Sequence, residues 1–363
     1  MIPASFAPVP DAPAAARLLA EALARFDRTR PILVASHFDA DGLGSGAVLL
    51  RALRAAGFEA RPRLVGRGEN AWSEEFRGEV ASGDWGGLIV ADLGLGAEAV
   101  APHLPTVVID HHVPTGDGGG ATVISGHGRE PEPTSALVAW WAAGALGDQS
   151  DLLWLAGLGL IGDMAEDKGF PEMAEAQRRW GKTALRDATA LVNAPRRSAS
   201  ADATPALDLL LKCDGPKEVL SGAHPETARL LAARAEVQAA LAEARKVAPR
   251  INGDVAIIPI DTPCQVHPLI AQQWRTRLKG KVVICANFGY APGWVSFAAR
   301  TGGDHDLIEF FAKHRPPGAT EKYGNGHRAA SGGSLQPDDW AWFLRSVGFP
   351  AGLPGGLRSE VAA

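Results

Sequence analysis

Two carboxylates and an imidazole crowd the short stretch Ser36-His37-Phe38-Asp39-Ala40-Asp41-Gly42-Leu43-Gly44-Ser45. Held that close, His37, Asp39 and Asp41 shift one another's pKa unless a cation lies between them. Oxygen ligands with imidazole suit Mn²⁺, Mg²⁺ or Zn²⁺. The same residues also describe an ordinary acidic turn ahead of a helix. What could converge them is the element in front, the apolar run Ile32-Leu33-Val34-Ala35, which reads as a short buried strand. A helix over 46–53 follows. The three residues therefore fall at a strand's carboxyl end, where open α/β sheets bind ligands. If the stretch is extended, alternate side chains face one way and the three meet.

The pattern recurs down the chain. Residues 86–94 read as a strand that ends in Asp92, and 106–112 as a strand that ends in Asp110, His111 and His112. The apolar run 157–163 ends in Asp163 and reads as a helix or its last turn. Any one of these aspartates alone is an ordinary cap or turn residue. Four apolar segments delivering Asp or His at the same end are explained together by one cluster. With a helix over 11–27 and a strand over 60–65, this predicts a parallel α/β sheet with one ligand-rich edge. The Gly/Pro-rich tracts 113–120 and 126–133 read as loops over that edge, with Pro133-Thr134-Ser135 capping the helix that follows.

From 178 to 250 the chain reads as helical, with a polar stretch from Arg196-Arg197-Ser198 to Thr204-Pro205 and a long helix over 225–247. A second α/β unit follows, with strands over 255–260, 281–287 and 294–300 and helices over 268–278 and 306–314. The stretch 324–333, with Gly324, Gly326, His327 and Arg328, reads as a glycine loop. Its free N–H groups and two cationic side chains suit a phosphate or carboxylate.

Composition sets the frame. The 363 residues are 46% hydrophobic and 21% charged, enough for two domains with real cores. A formal charge of −5 argues against a strongly basic nucleic-acid coat but not against a local groove. Cys213, Cys264 and Cys285 are scattered without a CxxC, as in a reducing, cytoplasmic setting. There is no signal-peptide pattern, and 136–161 is interrupted by polar residues, so no membrane partner is expected. Of ten tryptophans, Trp72, Trp274 and Trp294 are the candidates for base stacking, and Arg61, Arg63 and Arg67 are basic residues for the cleft or the plain surface.

His-x-Asp-x-Asp-Gly at 37–42, Asp92 after a strand, Asp110-His111-His112 and Gly162-Asp163 resemble, in order, the four motifs of the DHH phosphoesterase superfamily. Gly-x-Gly-His-x-x-Ala-x-Gly at 324–332 resembles the signature of the associated DHHA1 domain. The first motif is nearest the RecJ-like branch. The resemblance implies an N-terminal parallel-sheet DHH catalytic domain over 1–195, a helical connector over 196–250 and a smaller C-terminal α/β DHHA1 domain over 251–363. It also implies an active site in the interdomain cleft. It implies two divalent ions, Mn²⁺ ahead of Mg²⁺, one held by His37, Asp39 and Asp92 and the other by Asp41, Asp92, His111 and Asp163. Asp110 would orient a histidine, and His112 would face the scissile phosphate. Arg300, Gly324, Gly326, His327 and Arg328 would hold substrate phosphates.

The activity so implied is a manganese-dependent phosphodiesterase on single-stranded DNA, RNA or short oligonucleotides, exonucleolytic from the 5′ end. Its alternatives are a phosphatase or phosphodiesterase for a small nucleotide such as pAp or a cyclic dinucleotide, and a non-catalytic replication or repair factor. RecJ-type enzymes carry an extra OB-fold beyond the DHHA1 motif, whereas here 36 residues follow His327. Processive degradation of long strands is correspondingly less expected.

Overall fold

The structure, a computed structural model, describes residues 8, 9 and 11–350, which divide into two units. The first comprises residues up to 196 together with 200–232, and the second 197–199 with 233 onward. The stretch 196–250 is thus shared between them rather than standing as a body of its own.

In the first unit the order is α1 (Ala12–Leu23), β1 (Ile32–His37), α2 (Ala40–Ala55), β2 (Ala60–Val65), α3 (Glu74–Ala81), β3 (Gly87–Ala91), β4 (Thr106–Asp110) and β5 (Thr122–Ser125). Helices follow: α4 (Ser135–Ala143), α5 (Leu153–Gly162), α6 (Pro171–Trp180), α7 (Lys182–Val192), α8 (Thr204–Lys212) and α9 (Pro216–Leu220). The five strands form a wholly parallel sheet in the order β2-β1-β3-β4-β5.

A parallel sheet covered on both faces needs strands that are apolar throughout, and the period of two then sorts the side chains. Ile32, Val34, Ile89, Ala91, Val107 and Ile109 join the core of α1, α2, α4 and α5. Leu33, Ala35, Leu88, Val90 and Val108 face the other way, toward Phe76 and Val80 of α3. β5 is absent from the sequence reading because its four residues lie between two glycine-rich tracts and become a strand only by pairing with β4.

The chain runs from β1 out to β2 and returns to β3 on the other side of β1. The carboxyl ends of β1 and β3 therefore flank the point where strand order reverses, the place such sheets bind ligands.

The helix α10 (Pro225–Ala244) begins in the first unit and ends in the second. The second unit contains β6 (Arg250–Asn252), β7 (Val255–Ile260), α11 (His267–Arg277), β8 (Val282–Ala291), β9 (Trp294–Thr301), α12 (Leu307–Lys313), β10 (Tyr323–His327), β11 (Ala330–Leu335) and α13 (Pro337–Ser346). Its mixed sheet runs β10-β11-β9-β8-β7-β6. One face carries an aromatic core of Phe297, Phe311, Tyr323, Trp340 and Phe343. The other packs Ile258, Val283 and Cys285 against Ile270 and Ala271 of α11.

The glycine stretch expected as a loop is the β10–β11 hairpin. A Cβ on Gly326 (φ 135°) would stand 2.3 Å from the Ala330 carbonyl oxygen, so its glycine is required by backbone approach. Strand formation is hidden in the sequence because glycine is depleted in strands, and pairing of β11 with β9 overrides that preference.

Candidate metal centre

His37 ends β1, Asp39 caps α2, and Asp41 lies in the first turn of α2. The expectation of an extended stretch is corrected here. Asp39 accepts a hydrogen bond from the Gly42 N–H at 3.2 Å and starts the helix immediately after the strand. The side chains converge because a strand end, a cap and a first helical turn meet, and not by period-two alternation. Asp39 caps α2, and the same carboxylate lies among the donors His37 and Asp92.

Asp92 follows β3 with φ 62°, a left-handed conformation that Asp tolerates better than bulkier residues. Its N–H still bonds the Ile109 carbonyl at 2.9 Å, which anchors the turn to β4. Asp110 closes β4, and His111 and His112 follow. Asp163 caps the C-terminus of α5.

These residues form two groups of donors around one shared carboxylate. His37, Asp39 and Asp92 lie together, as do Asp41, His111 and Asp163. Asp92 presents one oxygen to each group, with Oδ2 3.7 Å from His37 Nδ1 and Oδ1 3.8 Å from His111 Nε2. His37 Nδ1 is 3.1 Å from Asp39 Oδ1, and His111 Nε2 is 3.2 Å from Asp163 Oδ2. Asp110 sits beneath, accepting from the His112 N–H at 2.6 Å and the Gly94 N–H at 2.8 Å, with its Oδ1 3.2 Å from His112 Nδ1.

Two contributors escape the sequence reading. Ser135, read only as part of a helix cap, donates its hydroxyl to Asp92 Oδ1 at 2.8 Å. The N–H groups of Ser135 and Ala136 bond the two oxygens of Asp41 at 2.8 and 2.9 Å. Asp41 thus occupies the N-terminus of α4 while Thr134, at its N-cap, makes no side-chain bond there. A carboxylate so placed is stabilised by up to about 2 kcal/mol when partly buried. The other is Arg196, read as part of a polar hinge, whose guanidinium donates to Asp39 Oδ2. The pairing Pro133-Thr134-Ser135 was the one available signal for Ser135, and nothing in sequence pointed Arg196 at Asp39.

The electrostatics are those of a site short of positive charge. Burial, followed by the neighbouring Asp163, pushes Asp41 up to about 6. Burial and the charges of Asp41, Asp39, Asp110 and Asp163 raise Asp92 well above the usual carboxylate range. Burial works against the charged form of His111, but Asp163 and Asp41 outweigh it and bring it to about 9. For Asp39, burial is opposed and overcome by His37 and Arg196, and its pKa is lowered. The Asp110 hydrogen bond raises His112. A buried set of carboxylates and imidazoles, with His111 Nε2 lacking a hydrogen bond of good geometry, fits divalent cations.

The proton bookkeeping gives a prediction. Metal uptake must displace protons from His111, Asp92 and Asp41, so affinity rises with pH through the range 6–9. Mn²⁺ titration followed by the paramagnetic signal of the free ion should show binding at least roughly tenfold tighter at pH 8 than at pH 6. Equal affinity at both would mean these groups do not hold the ion.

A cavity of about 390 Å³ opens on the cluster, lined by His37, Asp39, Asp92, His112 and Asp163 and, from the segment after β2, by Gly66, Glu69 and Asn70. That is the scale of a small-ligand site.

The expected phosphate-binding residues other than His112 belong to the second unit. The register His327↔Ala330↔Arg300 puts His327 and Arg300 on one face of its sheet, two strands apart. Burial and nearby Arg275 lower the Arg300 pKa, and its Nη1 donates to the Ala299 carbonyl at 2.8 Å. Gly324 and Gly326 lie in β10, and Arg328 reaches Asp306 at 3.8 Å from the hairpin turn. Trp72 donates its indole N–H to the Leu93 carbonyl at 3.0 Å, and Trp274 packs partly buried against the α11 core. Arg61 pairs with Glu59, and Arg63 with Glu69 and Glu79. No helix among the described residues is long and apolar enough to cross a membrane.

No protein-family model and no curated protein matches the sequence. Solved structures do. The chain is similar to exonuclease RecJ bound to manganese, at 22% identity and TM-score 0.70 over 96% of this chain and 97% of that one. It is similar to RecJ in complex with Mn²⁺ from Thermus thermophilus, also at 22% and 0.70, covering 95% of this chain and 55% of that protein. The DHH domain of PF0399, a member of the s1p family of ribosomal proteins, aligns at 15% identity and TM-score 0.61 over 93% of this chain and 90% of that one. The chain has the DHH/DHHA1 fold. Within it, the two-unit architecture is RecJ-like.

Proposed function

We propose that this protein is a metal-dependent phosphodiesterase that hydrolyses single-stranded nucleic acid or short oligonucleotides from the 5′ end. The observation that carries the reading is the pair of donor groups sharing Asp92, one carboxylate oxygen to each. His37, Asp39 and Asp92 would hold one ion, and Asp41, Asp92, His111 and Asp163 the other, with Mn²⁺ the first choice and Mg²⁺ the second. When bound, such a pair supplies Lewis acidity and a hydroxide at neutral pH for in-line phosphoryl displacement.

The protein's own groups do the rest. Asp110 engages Nδ1 of His112, which leaves Nε2 to hold a proton toward a phosphate oxygen. Ser135 and the α4 N-terminus fix the oxygens of Asp92 and Asp41, so the donors need no reorganisation when substrate arrives. His327 and Arg300 share a sheet face suited to backbone phosphates. A role confined to binding nucleic acid has no need of the complete donor set.

The test is a time course with purified protein and Mn²⁺ on two 3′-labelled single strands, a short oligoribonucleotide and a longer DNA. Stepwise mononucleotide release from the 5′ end is expected. His327→Ala should raise KM more than it lowers kcat. Failure to cleave either strand overturns the reading and turns attention to small nucleotides.

A further inference from the structure

A second group of metal donors lies in the helical part of the first unit. Cys213 follows α8, Glu218 is on α9, and His224 stands immediately before α10. Their donor atoms lie within 4.8 Å of one another. None of them belongs to the motifs that build the metal centre.

The environment favours a cation. Cys213 is fully buried, with its sulfur within 4.8 Å of a ring nitrogen of His224 and a carboxylate oxygen of Glu218. Glu226, in the first turn of α10, pairs its Oε1 with Lys212, while its Oε2 is buried without a hydrogen bond. Burial, then the charges of Glu218, Asp214 and Glu226, push the Cys213 thiol up to about 12, with Arg51 acting the other way. His224 Nε2 already meets Glu218 Oε1 at 2.9 Å, which brings two of the donors to the half-exposed rim of the cluster.

We propose that Cys213, Glu218 and His224 form a zinc-type site that staples the junction of α8, α9 and α10. One thiolate, one imidazole and one carboxylate make the mixed set that Zn²⁺ takes in four-coordination, with water or Glu226 completing it. Binding is a ligand exchange without redox: the Cys213 S–H bond gives up its proton to solvent and the sulfur bonds the ion. The competing account is that Glu218 and His224 are only an ion pair at a helix start.

Co²⁺ separates this site from the phosphodiesterase centre, because only a thiolate ligand gives a sulfur-to-cobalt charge-transfer band, and the other centre contains no sulfur. Metal-stripped full-length protein titrated with Co²⁺ should develop that band by three equivalents, the two-ion centre taking up to two of them, and Zn²⁺ should abolish it. Cys213→Ser should eliminate the band, and His224→Ala should weaken Co²⁺ binding by at least about tenfold. Asp92→Asn and the Cys264→Ser/Cys285→Ser double variant should keep it. Because Cys213 is buried and its serine variant could misfold, His224, with a quarter of its side chain exposed, carries the decision in that case. Absence of the band in the wild type, its survival in Cys213→Ser, or an unchanged affinity in His224→Ala overturns the site.

Discussion

Asp92→Asn should reduce phosphodiester hydrolysis by roughly a thousandfold or more while leaving the fold intact. Asp92 is the one carboxylate with an oxygen toward each donor group, so neutralising it weakens both at once. A loss of several kcal/mol of transition-state charge stabilisation corresponds to about three decades in rate. Asn is the right replacement. It tolerates the left-handed backbone at φ 62°, and its Oδ1 still accepts from Ser135, whereas Ala would add backbone strain to the experiment.

Stability gives an independent reading of the same variant. A carboxyl whose pKa is raised by folding stabilises the fold while protonated and loses that contribution as pH rises through its folded pKa. Asp92 and Asp41 are raised, so their contribution in metal-free protein falls from about pH 4 upward, through about 6 for Asp41. His111, raised to about 9, adds a further fall between about 6.5 and 9. Metal-free wild type should therefore melt lower at pH 8 than at pH 5.5, and Asp92→Asn should flatten that slope. Calorimetric melts at the two pH values measure it. A variant with full activity, or an unaltered slope, would remove Asp92 from the centre.

Gly159→Ala should lower activity by about a hundredfold although residue 159 carries no functional group. Its Cβ would stand 2.2 Å from Asp41 Oδ1, 2.6 Å from Ala136 Cβ and 3.2 Å from Thr134 Oγ1. Overpacking of this kind costs about 1–3 kcal/mol, and the better helix propensity of Ala returns about 1 kcal/mol. The net cost is then at most about 2 kcal/mol, a melting shift of several degrees at most, while Asp41 is pushed off the α4 N-terminus. Misplacing a group by about 1 Å is enough for a loss near 10²-fold. Gly157→Ala, two residues earlier on α5, is the control. Its Cβ would make only ordinary contacts, 3.4 Å to Ala176 and 3.6 Å to Leu185, so activity should be unchanged and stability equal or slightly higher. Parallel kcat measurements on the two variants decide the matter; equal activities would show that Asp41 is not positioned by α5.

The N-terminal sheet and its cluster were legible for a definite reason. Strands buried on both faces must be apolar throughout, so β1, β3 and β4 stand out, and the charged residues that end them are conspicuous. His37, Asp39, Asp41, Asp92, His111 and Asp163 could be read in this way because each sits at the boundary of an apolar run. Ser135 and Arg196 could not. A serine at a helix start and an arginine in a polar stretch have many uses, and only the packing of α4 against α2 and the path of the chain after α7 bring them to Asp92 and Asp39.

The glycine hairpin marks the other limit. Gly324, Gly326, His327 and Arg328 announce close backbone approach, but not whether the partner is an anion or another strand, because glycine answers both needs. The sequence by itself determined the elements whose signal is local: apolar runs, their charged ends, and the helices between them. Tertiary structure decided which strands neighbour which, that Asp41 turns into a helix rather than along a strand, and which polar groups complete the site. Those outcomes depend on contacts between residues far apart in the chain, and local periodicity and propensity contain no information about such contacts.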